Sequence, residues 1–348
     1  MGYSRMRMFH ANTMTELHDT MCTALIDAGP DELDVISSVD VQIHNIIAEA
    51  ESMEWDFDMK DMWLTKSRWT MMVNQYIDPD DFQAWLNQIT SKIGTKKRGI
   101  CLLRTKTVAA RGGEATGHSN KETRRWGSCM LGLSYKAIPA PQITLYSRTS
   151  YLGYIGALDL TVAWMAGKVL ADAMGIDVKD IRFVWMNEAI QWHNFKSLAF
   201  LLNHPDPKRR KKYRRLMMKP AKKLKDSEKE KIKASPALRL SRKWLAKVIK
   251  EDKDGVTYGD MTYNTYRRIR RRWHTEVNGY DFAQQFEGWS RYKSGPKEGK
   301  KKEFFKAYKP LPSVPAHTLA FDSLTKKGVD LSGAEFTGEG MADDDDDG

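Results

Sequence analysis

The sequence contains no apolar run long enough to span a membrane; its longest ones are broken by charges or glycines. Its opening residues lack the charged, apolar and small-residue succession of a signal peptide. Met1-Gly2 is not a myristoylation start either, because position 6 is methionine where the acceptor pattern takes serine or threonine. Cysteine is scarce. Cys22, Cys101 and Cys129 are the only three, and they show no metal-ligand spacing. An odd, small number argues against a disulfide framework. No internal repeat is present. These absences predict a reduced, cytoplasmic protein with no metal and no membrane partner.

What is present is ordinary for a globular chain of 348 residues, with 41% hydrophobic and 29% charged residues. That length can bury a sizeable core, in one large domain or two smaller ones. Eleven tryptophans and eighteen methionines predict deep packing or aromatic-lined sites. The net charge of +11 is unevenly spread. Lys208-Arg-Arg-Lys-Lys-Tyr-Arg-Arg215 and Arg267-Arg-Ile-Arg-Arg-Arg272 carry much of it, and Asp343 to Asp347 form an acidic tail. Such basic clusters attract phosphates on a nucleotide or a polymer, or else form the solvated face of a helical insertion.

Periodicity predicts helices over 13–28, ended by Gly29-Pro30, over 38–53 through Ile43, Ile46, Ile47 and Ala50, and over 78–93, opened by Asp78-Pro79. Gly99-Ile-Cys-Leu-Leu reads as a buried strand and 105–123 as loop. Strands follow at 128–137 and 142–149, then a buried helix over 158–175. A strand at 181–185 precedes a mainly helical stretch at 188–202. Residues 205–302 are Lys/Arg-rich and helical, with Leu238, Leu240, Trp244, Leu245, Val248 and Ile249 on one apolar face. The expected organisation is a core over 1–204, a basic insertion over 205–302, a return segment over 303–324 and a flexible acidic end over 325–348.

The most informative stretch is the hairpin from Cys129 to Thr149. It sets a thiol at the head of one strand and a guanidinium, Arg148, near the end of the next. A thiolate there can attack a ring while the arginine lowers the thiol pKa and holds an anion. Cys129 alone reads equally as a buried strand cysteine.

These residues resemble the thymidylate synthase family and its pyrimidine-modifying relatives, from about 43 to 202 and again over 304–321. Ile46-Ile-Ala-Glu49 is similar to the segment bearing the family's catalytic glutamate. Lys97-Arg98-Gly-Ile-Cys-Leu resembles the basic pair that reaches the neighbouring subunit's phosphate site. Leu145-Tyr-Ser-Arg148-Thr149 resembles the phosphate-binding Arg-Ser. Phe305-Lys-Ala-Tyr308-Lys-Pro-Leu-Pro resembles the C-terminal segment before the tail that closes over folate. The resemblance implies an α/β (α+β) three-layer fold with a large mixed sheet, a homodimer, and 5,10-methylenetetrahydrofolate as co-substrate. It implies that Cys129 adds to carbon 6 of a pyrimidine deoxynucleotide, so that carbon 5 accepts a one-carbon unit.

Asp159 stands eleven residues after Arg148, where thymidylate synthases carry the asparagine that reads uracil. A carboxyl group there suits cytosine, accepting from the amino group and sharing a proton with the ring nitrogen. Phage deoxycytidylate hydroxymethylases carry aspartate at that place, so the resemblance implies dCMP, a viral source and a role in DNA modification. As a plain structural residue, Asp159 would cap the long helix. Gln191-Trp192-His193 stands where the family has His-x-Tyr on the sugar. Tyr151 replaces the aspartate that touches the folate pteridine, and Ser128-Cys129-Met130 replaces Pro-Cys-His. The family's N-terminal arginine loop is not recognisable. Methylation of dCMP and action on dUMP stay open beside hydroxymethylation. So does a non-catalytic nucleic-acid-binding protein on the same scaffold, or a replication-complex contact through the basic insertion.

Overall fold

A computed structural model describes residues 6–35, 40–57, 69, 72–73, 76–90, 98–103, 130–193, 197–251, 326 and 328. Among the described residues seven strands form one mixed sheet in the order β1-β3-β7-β6-β5-β4, with β2 paired to β3. They are β1 (Arg7–Thr13), β2 (Asp34–Val35), β3 (Asp40–Ser52), β4 (Arg98–Leu102), β5 (Met130–Lys136), β6 (Gln142–Tyr151) and β7 (Arg182–His193). The pairs β1/β3 and β6/β7 are parallel, and the others antiparallel. Seven α-helices are described: α1 (Met14–Asp27), α2 (Pro79–Thr90), α3 (Ile155–Met174), α4 (Leu198–Leu202), α5 (Pro207–Met218), α6 (Asp226–Ala234) and α7 (Pro236–Glu251). None of them is long and apolar enough to cross a membrane.

Helix ends follow local chemistry. Thr13 caps α1, its hydroxyl accepting from the Glu16 N–H at 3.1 Å. Asp78 Oδ1 accepts from the Asp80 and Asp81 N–H groups at the start of α2. Gly175 closes α3 with a φ of 67°, its N–H reaching the carbonyls of Ala171 and Asp172. Helix α3 is apolar on nearly every side and lies in the core, against β6. Helix α1 packs on β1, β3 and β7.

Two expected helices are strands. Residues 38–53 were expected to be helical, yet 40–52 form β3, hydrogen-bonded between β1 and β7. Similarly, 188–193 continue β7, and helix resumes only at Leu198. The cause is a break in the ladder. Inward residues on β3 are Val41 and Ile43, then Ile46, Ala48 and Ala50, a step of three instead of two. On β7 they include Asn187 and Ile190, and on β6 Ser147 and Ser150. Register aligns Ile46 with Asn187 and Asn187 with Ser147, and likewise Ile43, Ile190 and Ser150. Between them the ladder skips one rung in all three strands, at Asn45, Glu188 and Arg148. Asn45 sits there at φ 57°, which asparagine tolerates. The Asn187 side chain accepts from the freed Ala189 N–H at 3.0 Å.

The outer face of the sheet carries an apolar row. Met8, Ile47, Met186, Tyr146, Gly132 and Leu102 are successive register partners across six strands. Met8, Met186, Tyr146 and Leu102 are exposed.

Within the expected basic insertion, α5, α6 and α7 join the same core. Tyr213, Leu216, Leu238 and Leu245 are buried in it, and Trp192 Nε1 donates to Ser241 Oγ at 3.3 Å. Arg242 donates to the carbonyls of Leu216, Met217 and Lys219, satisfying the C-terminal end of α5. Side chains of Trp244, Val248 and Ile249, and the segments 252–302, 303–324 and most of 325–348, lie outside the described residues.

Candidate functional site

The carboxyl ends of β6 and β7 lie side by side because the strands are parallel, and β3 brings its amino end to the same place. The turn after β6 is fastened there from several directions. Leu152 N–H donates to Gln191 O at 2.9 Å, and Ser197 Oγ donates to Leu152 O at 2.7 Å. Gly153 takes φ 71°, with the Trp192 ring, Phe200 Cβ and Ser197 Cβ 3.1–3.2 Å from where a Cβ would stand. Gly156 lets the first turn of α3 close on β6, since a Cβ there would meet Ser150 Oγ at 2.9 Å.

This closure brings Asp159 against β6. Ser150 Oγ donates to Asp159 Oδ2 at 2.7 Å, and both residues are 1% exposed. Helix α3 starts at Ile155 with Tyr154 as its N-cap, so Asp159 lies in the second turn and does not cap the helix. Its carboxyl group is a buried acceptor for the Ser150 hydroxyl.

Arg148, Thr149, Tyr151, Gln191 and His193 gather at the same end of the sheet. Tyr151 pairs in register with Gln191, and the Tyr151 and His193 rings meet edge to face at 6.0 Å. Gln191 Nε2 donates to Gln42 Oε1 at 2.9 Å, and the Gln42 amide meets His44 Nε2 at 2.7 Å. His44 Nε2 also lies 2.9 Å from Asp34 Oδ2. Gln42 and His44 were not anticipated, because a helical reading of 38–53 does not align them with Gln191. The ensemble offers a guanidinium, hydroxyls, a phenol, an imidazole and amides around one end of the sheet. That is a set suited to a polar, anionic small molecule.

Two expected site residues lie elsewhere. Glu49 is on β3 opposite Val184, with its carboxylate 3.9 Å from Arg182 Nη2. Seven residues of strand separate it from Gln42, roughly 20 Å at strand rise. Within one chain it is therefore remote from Asp159. Arg98 pairs with Lys136 on β5, which pairs with Gln142 at the amino end of β6, again the far end. Cys129, Lys97 and Tyr308 lie outside the described residues. Strand β5 starts at Met130, in register with Ser147, next to Arg148 in sequence. The other two thiols are poor nucleophiles. Burial pushes Cys22 well up and Cys101 up to about 12, the latter with help from Asp81 and Asp78.

A separate cavity of about 630 Å³ lies where β1 enters α1, and none of the expected site residues line it. His18, Asp19, Trp55, Phe57, His204 and Arg209 are among its walls. His204 Nε2 contacts Asp19 Oδ1 at 2.7 Å, and Arg209 pairs with Asp19 Oδ2. Burial raises the Asp19 carboxyl, but His204 and Arg209 outweigh it and hold it below its ordinary value. His18 is enclosed by Trp55, Phe200 and Cys22, and burial pushes it from 6.5 down to about 4.

That shift sets an expected pH dependence. Above pH 6.5 the ring is neutral in both folded and unfolded chains. As pH falls from 6.5 towards 4, the unfolded chain takes the proton and the folded one does not. Stability should drop through this window by up to roughly 3 kcal/mol, and His18→Leu should flatten the decline. Urea midpoints at both ends of the window check it; equal declines in wild type and variant would assign the effect to another group.

Among the described residues no cluster of His, Cys, Asp or Glu is arranged to hold a metal ion. Neither a known protein family nor a curated protein sequence matches this chain.

Proposed function

We propose that the chain transfers a one-carbon unit to carbon 5 of a pyrimidine deoxynucleotide, with dCMP as substrate and a hydroxymethyl group as product. The observation that carries this reading is Asp159: a buried carboxylate, bound to Ser150 Oγ, at the strand end that holds Arg148. A helix cap would explain an aspartate there, but the helix begins four residues earlier. The thymidylate synthase resemblance supplies the rest of the reading.

In this scheme Arg148 and Thr149 hold the nucleotide phosphate, and Gln191 and His193 hold the sugar. Asp159 accepts from the cytosine amino group and shares a proton with the ring nitrogen. Cys129 is the nucleophile, consistent with the buried, poorly acidic state of the other two thiols. Its thiolate forms a bond to carbon 6, and the electron pair moves to carbon 5. Carbon 5 then takes the methylene of 5,10-methylenetetrahydrofolate, which stays bonded to the folate nitrogen. Loss of the carbon 5 proton expels tetrahydrofolate and gives an exocyclic methylene; water adds to it, and the thiolate departs from carbon 6. Tyr151 and Tyr308 are the residues assigned to the folate side.

The test is product chemistry. Incubation with 5-tritiated dCMP or dUMP and methylenetetrahydrofolate should release tritium from dCMP, and mass spectrometry should find a hydroxymethyl group. A rise in dihydrofolate absorbance would instead identify methylation. No tritium release from either nucleotide, or full activity in Cys129→Ala, overturns the proposal.

A homodimer belongs to the same reading, and the apolar outer row supports it. Six register partners from Met8 to Leu102 make a continuous stripe on a face that the described helices leave open. Back-to-back association would cover it, and the resemblance assigns Lys97 and Arg98 to the partner's phosphate site. Met186→Glu places an unpaired charge mid-stripe and should convert a dimer to a monomer in sedimentation. A wild-type monomer removes this part of the proposal.

A further inference from the structure

Helix α5 carries seven cations in twelve residues and no acid: Lys208, Arg209, Arg210, Lys211, Lys212, Arg214 and Arg215. The fold uses three of them. Arg209 pairs with Asp19 and lies 3.8 Å from Asp206. Arg214 Nε donates to Leu202 O at 2.5 Å and its Nη2 to Asn203 Oδ1 at 3.3 Å. Arg215 holds Glu228 through both carboxylate oxygens, at 2.5 and 3.2 Å. Tyr213, Leu216, Met217 and Met218 are buried and anchor the helix to the core.

Lys208, Arg210, Lys211 and Lys212 are left over, with no ion-pair partner among the described residues. Lys208, Lys211 and Lys212 are exposed and stand at i, i+3 and i+4, so they share one face. This placement costs stability twice. Like charges repel at that spacing, and they crowd the first two turns, where the helix dipole is already positive. Exposed Lys222, Lys223 and Lys225 extend the positive charge along the chain. Asp206 caps the helix, its Oδ1 accepting from the Lys208 N–H at 2.8 Å, but no described carboxylate pairs with these four side chains, and an external polyanion would relieve their repulsion.

We propose that the outer face of α5 docks on the phosphate backbone of duplex DNA without reading its sequence. The face offers only Lys and Arg, which contact phosphates and fix position. The helix's one aromatic, Tyr213, is turned inward at 5% exposure, so the helix itself offers no platform for stacking unpaired bases. No apolar side chain stands among the lysines to enter a lipid surface. The inference is independent of the nucleotide chemistry above and stands whether or not dCMP is the substrate.

The test is fluorescence anisotropy of the full chain with a labelled duplex of about two helical turns, titrated at about 50 and 200 mM salt. Binding should weaken with salt with a log–log slope of about −3 to −4 for four neutralised phosphates. Lys208→Gln/Lys211→Gln/Lys212→Gln should bind at least about tenfold more weakly, with a slope shallower by about 2–3. Its thermal midpoint should hold or rise, because repulsion is removed while the buried anchor is untouched. Wild-type affinity in this variant overturns the proposal. So does tighter binding of the single strand than of the duplex, or binding to phosphatidylserine vesicles in place of DNA.

Discussion

Under the proposed function, Asp159→Asn is expected to invert the base preference. Uracil presents a ring N–H donor and a carbonyl acceptor, which an amide satisfies; cytosine presents a ring acceptor and an amino donor. The variant should lose at least about 100-fold in kcat/KM on dCMP and gain on dUMP, because a mispaired buried polar group discriminates steeply. Ser150 Oγ, which donates to the native carboxylate at 2.7 Å, can still donate to the amide oxygen. The fold should therefore lose only about 1 kcal/mol. The decisive quantity is the ratio of the two specificities, since a purely structural aspartate would depress both alike. Equal losses on both nucleotides, or a wild type that prefers dUMP, would remove the base-reading role.

The second large effect is on stability. Gly153→Ala should cost about 2–4 kcal/mol, combining a left-handed backbone with an overpacked contact. The new Cβ would stand 3.1–3.2 Å from Trp192, Phe200 and Ser197, at φ 71°. Gly175 provides the control, with φ 67° and nothing within 4 Å. Gly175→Ala should show the backbone cost alone, about 1–2 kcal/mol. Urea midpoints at unchanged m-value check both. If the two variants are equally destabilised, the turn after β6 is not tightly packed.

Much of the architecture was legible because local chemistry and tertiary structure agree. Thr13, Asp78 and Gly175 punctuate helices where their side chains or conformational freedom dictate. The β5–β6 hairpin and the apolar α3 announce themselves through alternation and uniform burial. The reading failed where the sheet breaks its own period. Ile43, Ile46, Ile47 and Ala50 have the spacing of a helix face, yet Ile43, Ile46 and Ala50 point inward from a strand that skips a step. Ile47 belongs to the outer row. The same skip disguised the second half of β7, and with β3 misread, Glu49 was placed on a helix near the site. In the fold it lies at the opposite end of the sheet, beside Arg182. Gln42 and His44 escaped notice for the same reason, since their relation to Gln191 exists only once β3 pairs with β7. Asp159 was singled out by its distance from Arg148. That it does not cap the helix is visible only from the true start of α3.

The skipped rung also restricts how this chain can change. Asn45, Glu188 and Arg148 come from distant parts of the sequence, yet their strands shift phase together. Deleting one residue near any single one of them would turn that strand's remaining side chains inside out while its neighbours kept their orientation. Length variation should therefore be tolerated at the β5–β6 turn and be lethal at these three places unless all three change at once.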